Sequence, residues 1–443
     1  MGIDWWLSLL CVVAGIALLS LYWLRLRRFR LLAKHAAWQL EAQAVEKATH
    51  EALIEGLSDE EKVLTIVVPV VNERDPLEPL LRNLIGQKYK REYEILVADE
   101  NHTAEIEALC ERIQRNDFSR LRYTFVPDSS RYIERRKLAI TLGMRAARGE
   151  WVMVLSPDTL PVDDQWLYHI SQSLIEGNDM VMAYYNYDDD GSLVARRAIF
   201  DRVCDLATRM EAWEDGLVMG CLPSAWAVRK SWFLSENGFA DSVNLAFGEE
   251  AVFACLHADT ERTALLCSPS TRLVEALPSA DVLQTRRMRA CEVMHFLAHP
   301  LRRYRQQDMW ASIATYAFVL CQLAYLIGRL VMDIHNGIYT LALLPTDIIS
   351  VVLWGVALTL SVVMVRLGLR TLDERKYGAY IYLYEFGRHR RSRAGWPSGP
   401  SPGCVPVRRL RPAGARGLPV PHRSCSPRRR CSPPAAHSAR CRP

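Results

Sequence analysis

Four acidic stretches carry side chains able to do chemistry: Asn72-Glu73, Asp99-Glu100, Asp158 and Glu249-Glu250. Each of the first three stands just after a short run of β-branched and apolar residues: Thr65 to Val70, Tyr93 to Ala98, and Trp151 to Leu155. The first run, apolar on every face, fits a strand buried on both sides of a parallel sheet. Ligands of open α/β sheets sit beyond the carboxyl ends of such strands, so Asn72, Glu73, Asp99 and Glu100 are placed to read a nucleotide. Asp158 ends another central strand and shares their crevice if the strands are neighbours.

The elements that must position these groups follow in order. Asp75-Pro76-Leu77-Glu78 reads as a helix start, with Asp75 as N-cap, Pro76 at the first helical position and Glu78 closing a capping box. Leu77, Leu80, Leu81, Leu84 and Ile85 then keep one apolar face. With the strand at Tyr93–Asp99 this completes a βαβ unit. Helices are expected over Thr103–Asn116 and Arg135–Arg148, and strands over Leu121–Val126 and Trp151–Leu155. The run Asp188-Asp189-Asp190-Gly191 reads as a hairpin turn rather than a metal site.

In this order the residues resemble the family 2 glycosyltransferases, inverting enzymes with a GT-A fold, over roughly residues 63 to 290. Val68-Pro69-Val70-Val71-Asn72-Glu73 is similar to the family's P-x-x-N-E strand and turn, and Ala98-Asp99-Glu100-Asn101 to its D-D-x-S element. Arg135-Arg136-Lys137-Leu138-Ala139, with Gly143, resembles the helix before the metal motif. Ser156-Pro157-Asp158 stands where D-x-D binds a divalent metal. Gly248-Glu249-Glu250 resembles the G-E-D motif of the catalytic base, and Gln284-Thr285-Arg286-Arg287-Met288 the Q-x-x-R-W of membrane-embedded members.

The resemblance implies an α/β chain with a GT-A domain, a Rossmann-like, mostly parallel sheet with flanking helices, and the apolar runs Trp5–Leu24, Met309–Gly328 and Ile348–Val365 add about three transmembrane helices. It implies Glu250, with Glu249 beside it, as catalytic base. Pro69, Asn72, Glu73, Asp99, Glu100, Lys137, Gln284 and Arg287 would bind the nucleotide sugar, and Asp158 a divalent metal, Mg or Mn. Ser156 in place of the first Asp weakens that metal site, since hard cations want carboxylate oxygen. Met288 in place of Trp is a less rigid platform for an acceptor.

The chemistry asks for these residue types in its own right. A carboxylate takes the acceptor proton, one displacement inverts the sugar carbon, and cationic charge steadies the departing diphosphate. Plainer roles compete at each position: Asp99 as a helix cap, Asp158 as a turn former between Pro157 and Pro161, the two glutamates as first-turn charges, and Arg286, Arg287 and Arg289 as a solvated basic face rather than phosphate contacts. Trp213 and Trp226 read as core residues. A catalytically degenerate nucleotide-sugar binder, motivated by Ser156, is the reading from another class, and a processive polysaccharide synthase is the alternative among enzymes.

Composition bounds the partners. The chain of 443 residues carries a formal charge of +5, but the last 56 residues, from Arg388, hold 14 Arg and no acid. Without those 14 charges the first 387 residues stand at −9, which argues against nucleic-acid binding. The twelve Cys form no C-x-x-C pair, and those before the tail read as buried reduced thiols.

Trp5 to Leu24 is twenty residues without a charge, followed by Arg25, Arg27, Arg28 and Arg30. The order reverses that of a signal peptide and, by the positive-inside rule, leaves the following chain cytoplasmic. The expected layout is a transmembrane helix over 1–26, a juxtamembrane helix acting as a spacer over 27–62, the transferase domain over 63–292, an interfacial helix and two further spans over 293–372, and a largely disordered basic tail over 373–443. The composition of that tail also suggests out-of-frame translation. The expected setting is the bacterial inner membrane, multi-pass, with membrane lipid, a nucleotide-sugar donor and a lipid-linked or growing glycan acceptor as partners.

Overall fold

The run of β-branched residues after Val63 forms β1 (Leu64–Val70), and every residue in it is buried. In this computed structural model residues 3–45, 63–71, 76–127, 134–175, 177–243, 245, 248–286, 293, 299–335 and 345–374 are described. A long helix, α1 (Ile3–Val45), precedes β1. After β1 come α2 (Leu77–Ile85), β2 (Tyr93–Asp99), α3 (Ala104–Asn116), β3 (Leu121–Phe125), α4 (Arg135–Ala146) and β4 (Trp151–Val154). The chain continues through β5 (Thr159–Pro161), α5 (Trp166–Ser171), β6 (Met180–Ala183), β7 (Tyr185–Tyr187), α6 (Leu193–Glu214), β8 (Trp226–Arg229) and α7 (Lys230–Ser235). It closes with α8 (Glu249–His257), β9 (Thr263–Leu266), β10 (Leu273–Glu275), α9 (His299–His335) and α10 (Pro345–Thr371).

The expected α/β architecture is present. Seven strands form one sheet in the order β3-β2-β1-β4-β8-β6-β9. β3, β2, β1 and β4 run parallel, and β8 is antiparallel to β4 and β6. Strand order reverses between β1 and β4, so the crevice for a ligand opens at their carboxyl ends. β1 and β2 pair in register from Leu64–Tyr93 to Val70–Asp99, which sets Pro69 beside Ala98. On one face Leu80, Leu81 and Leu84 of α2 are fully buried, each contributing about 1.5–3 kcal/mol by the area it removes from water. A smaller sheet, β5-β10-β7, stands apart. Trp226 lies in the main core and Trp213 packs against it, as read from the sequence.

Two local expectations change. The N-cap of α2 is Pro76, and it makes no side-chain cap bond; Glu78 instead pairs with Arg82 at 2.7 Å and Arg112 at 3.3 Å. Two cations within reach outcompete a backbone N–H, and Asp75 lies outside the described residues. Asp188–Gly191 is a turn from β7 into α6, not a hairpin: Asp189 and Asp190 accept the N–H groups of Gly191 and Ser192, and Ser192 caps α6 through Ala195 N–H at 3.0 Å.

The apolar helices form their own group. A Cβ on Gly15 would touch Leu353 and Phe318, and Phe29 packs on Gly368, so α1 and α10 run parallel. Arg28 donates to Tyr304 O at 3.3 Å and Gln307 Oε1 at 2.8 Å, so α9 runs antiparallel to α1. Leu26, Phe29, Leu32 and Ala36 of α1 join the core beneath the main sheet with Met364, Val365, Leu369 and Leu372 at the end of α10. The first part of the expected spacer is therefore docked helix. Gln39 donates to Leu265 O at 2.6 Å and accepts Cys267 N–H at 2.9 Å.

Among the described residues one helical stretch, Ile348–Thr371, is long and apolar enough to cross a membrane, not about three. The apolar parts of α1 and α9 shorten to Leu9–Ser20 and Ala317–Met332. Being uncharged is a weaker condition than being apolar, because Trp, Tyr, Ser, Thr and Gln within those runs keep polar atoms. Of the expected interfacial helix, Met288 to Gln307, residues 288–292 and 294–298 lie outside the described residues, and 299–307 form the first turns of α9. The tail after Glu374 lies outside them as well. Cys11, Cys110, Cys204, Cys221 and Cys267 are free and buried, as expected, whereas Cys255 is half-buried and Cys321 is exposed on α9.

Candidate active site

Asp99, at the end of β2, is fully buried. Its Oδ1 accepts Asn101 N–H at 2.8 Å, and its Oδ2 accepts Thr103 N–H at 2.6 Å and the Tyr123 hydroxyl at 3.0 Å. The carboxylate thus shapes the turn into α3. Glu100 N–H donates to Val70 O at 2.9 Å, drawing that turn across the end of β1, and the Glu100 carbonyl accepts Arg135 Nε. Asn72 and Glu73, on the neighbouring turn, lie outside the described residues, as does Arg287. Gln284 is exposed on a helical turn over 280–286.

Lys137 of α4 is buried and donates to two backbone carbonyls, Ser242 O at 2.6 Å and Leu245 O. Its amine holds the loop that feeds α8, and burial lowers its pKa. One step earlier on α4, Arg136 Nε reaches Glu249 Oε1 at 3.3 Å, within the fields of Glu250 and Glu100 as well. Arg136 also donates to Pro223 O at 3.0 Å.

Gly248 opens α8 at φ +81°, a conformation that favours glycine, and a Cβ there would strike Val293. Glu249 and Glu250 follow in the first turn, 0% and 3% exposed. Neither Glu249 oxygen nor Glu250 Oε2 accepts a hydrogen bond from an N–H or hydroxyl group, and the two carboxyls lie within hydrogen-bond reach of each other. Burial first, then the charge of Glu249, lifts Glu250 from 4.5 to about 8, against the pull of Arg136. A carboxyl poised near 8 suits proton abstraction from a hydroxyl.

The third group is assembled by the small sheet. β10 pairs with β5 so that Glu275 faces Thr159, the residue after Asp158, and with β7 so that it faces Tyr187. Arg286 bridges Asp158 Oδ2, at 3.0 Å, and Glu275 Oε1. Arg202 lies 3.7 Å from Glu275 Oε2 and over the rings of Tyr185 and Tyr187, at 4.7 and 5.0 Å. Burial, with Asp158's charge, raises Glu275 to about 7 against Arg286 and Arg202. Tyr185 lies within the fields of Arg202, Glu275 and Arg286 and also of Arg136. Ser156 N–H donates to Ser224 Oγ at 2.9 Å and its carbonyl accepts from Thr159, so this serine holds the turn.

Residues 65–235 match the family model for glycosyl transferase family 2. The chain carries a family 2 glycosyl transferase domain. It is a glycosyltransferase on that ground, and the matched stretch takes in Asp99 and Asp158 and ends before Glu249. Among solved structures the chain is similar to the mannosyltransferase PcManGT of Pyrobaculum calidifontis, in complex with GDP-Man and Mn2+, at 16% identity, covering 81% of this chain and 98% of that one with a TM-score of 0.44. It is similar to residues 1–349 of S. aureus TarS in complex with UDP-GlcNAc at 14% identity, covering 75% and 90% with a TM-score of 0.33. It is also similar to glucosyl-3-phosphoglycerate synthase of Mycobacterium tuberculosis at 17% identity, covering 56% and 83% with a TM-score of 0.37. A search of curated proteins finds no match.

In the transferase domain, motif reading named both glutamates and Asp158 but not Glu275, nor Arg136 as a site residue. Glu275 closes a strand of three residues, Leu273-Val274-Glu275, too short to signal itself in the sequence.

Proposed function

We propose that this transferase is a membrane-anchored, inverting GT-A enzyme that moves one sugar from a nucleotide-sugar donor to a hydroxyl of a lipid-linked or growing glycan at the inner face of a bacterial membrane. The observation that carries the reading is Glu250: a buried carboxyl, raised to about 8, beside Glu249 and Arg136. Glu250 takes the acceptor proton as the acceptor oxygen bonds to the sugar carbon and the carbon–diphosphate bond breaks. The turn shaped by Asp99 and Glu100, with Asn72 and Glu73, receives the nucleoside.

Asp158 fits a single-point metal ligand. Its Oδ1 is buried without a hydrogen-bond partner while Oδ2 is held by Arg286. Among the described residues no three His, Cys, Asp or Glu side chains could share an ion, so water and phosphate oxygens would complete the coordination. When bound there, Mg or Mn would neutralise charge on the diphosphate.

The anchor reading rests on the helices. Leu320, Leu323, Ile327 and Val331 of α9 are exposed, as are Val351, Val352, Val356 and Val363 of α10 and Leu10, Val13 and Ile16 of α1. An apolar surface on three packed helices suits lipid. The parallel–antiparallel–parallel arrangement brings the transferase-side ends of all three to one face. A non-catalytic binder is the second reading, favoured by Ser156. Incubating detergent-solubilised protein with a panel of UDP- and GDP-sugars, then comparing Glu250→Gln, tests both: sugar release or transfer lost in the variant supports the enzyme, and donor binding without turnover supports the binder.

A further inference from the structure

Glu275 is 1% exposed, yet it belongs to none of the motifs that mark the site. Each of its oxygens faces a guanidinium: Arg286 bonds Oε1, and Arg202 stands 3.7 Å from Oε2. A buried carboxylate with two cations is a holding device, and the two cations differ in what else they reach. Arg202 is packed over two tyrosine rings and is 16% exposed. Arg286 is 36% exposed and turns its second nitrogen to Asp158 Oδ2 at 3.0 Å. One end of Arg286 is therefore fixed in the protein and the other is presented at Asp158, whose Oδ1 is buried and unpartnered.

The charges of Asp158, Glu275, Arg202 and Arg286 sum to zero, so the cluster is neutral without any ion. Ser156 stands where a second acid would have made it negative. A permanent cation at this point suits a leaving diphosphate, because a guanidinium fork matches paired phosphate oxygens.

We propose that Arg286 is a catalytic cation of the leaving-group site and that Glu275 is the positioning residue that holds it, an inference that rests on the transferase reading of this site. As the bond between sugar carbon and diphosphate oxygen breaks, its electron pair passes to that oxygen, and Arg286 donates to the diphosphate the hydrogen bond it otherwise gives Asp158 Oδ2. The proton of the acceptor hydroxyl goes to Glu250.

The test measures affinity of the full-length protein in detergent for UDP and GDP, and for UMP and GMP, in the presence of a chelator. Arg286→Gln should weaken the preferred diphosphate about 10- to 100-fold, the loss of one charge-assisted hydrogen bond, and leave the matching monophosphate unchanged. Arg286→Lys should recover part of the loss, and Glu275→Gln should show the same selective loss with Arg286 intact. Arg286→Gln binding the diphosphate as the wild type does, or losing mono- and diphosphate equally, overturns the proposal; a wild-type Glu275→Gln removes the positioning role. Arg286 is partly exposed, so its variants decide the matter if Glu275→Gln does not fold. Wild-type protein that binds none of the four nucleotides, with the chelator or with added Mn2+, instead defeats the transferase reading itself.

Discussion

Arg136 Nε stands 3.3 Å from Glu249 Oε1, while Oε2 of Glu250, the next residue, accepts no hydrogen bond from an N–H or hydroxyl group. One cation thus serves two adjacent buried acids and favours the charged form of both. It is the strongest force opposing the burial that raises Glu250. Rate should climb with pH as Glu250 loses its proton near 8, and Arg136→Gln should move that rise to higher pH and slow transfer at neutrality. A pH–rate profile of the two proteins checks this, and identical profiles would remove Arg136 from the site.

The same shift has a stability consequence. Glu250 goes from 4.5 to about 8 on folding, so the folded chain holds this proton more tightly. Its contribution is full below 4.5 and is lost as pH rises through 8. Glu250→Gln should therefore lose less melting temperature than the wild type between pH 5 and pH 9. An equal loss in both would show that Glu250 is not the group responsible.

The doubly wound half of the fold was legible because its central strands, such as Thr65 to Val70, are short, mostly apolar runs. Asp99 and Asp158 could be placed from those runs alone. The small sheet was not legible: β5, β7 and β10 have three residues each, too short for any period, and β5 meets β10 across more than a hundred residues. Hence Glu275 and its clamp on Arg286 went unread. The helix α6 also escaped notice, since Ala198, Ile199, Phe200 and Val203 are buried around most of its circumference and leave no amphipathic signature.

Gly143 lets α4 lie close on β1. A Cβ there would sit 2.6 Å from Val67 Cγ1 and 3.0 Å from Cγ2. Gly143→Ala should destabilise by about 1–3 kcal/mol through overpacking. Val67→Ala in the same chain should return part of it. Thermal melts of the single and double variants decide, and additive losses would show that the two residues do not collide.

Glu374, just past α10, accepts Asn186 Nδ2 at 3.0 Å and pairs with Arg272 at 2.9 Å, tying the end of the apolar helix to the small sheet. Glu374→Ala leaves Arg272, 17% exposed, without that partner, which should cost about 3 kcal/mol. Amide exchange should quicken in β7 and β10 while β1 and β2 stay protected. Unchanged exchange in β7 and β10 would mean that the tie carries no load.

The most direct test is the anomeric configuration and rate of sugar transfer by the solubilised full-length protein, with Glu250→Gln alongside. Wild-type protein should invert the sugar carbon, and Glu250→Gln should transfer about 100- to 10,000-fold more slowly while still binding the donor. Retained configuration, or a variant as fast as the wild type, would contradict the assignment of Glu250 as the base.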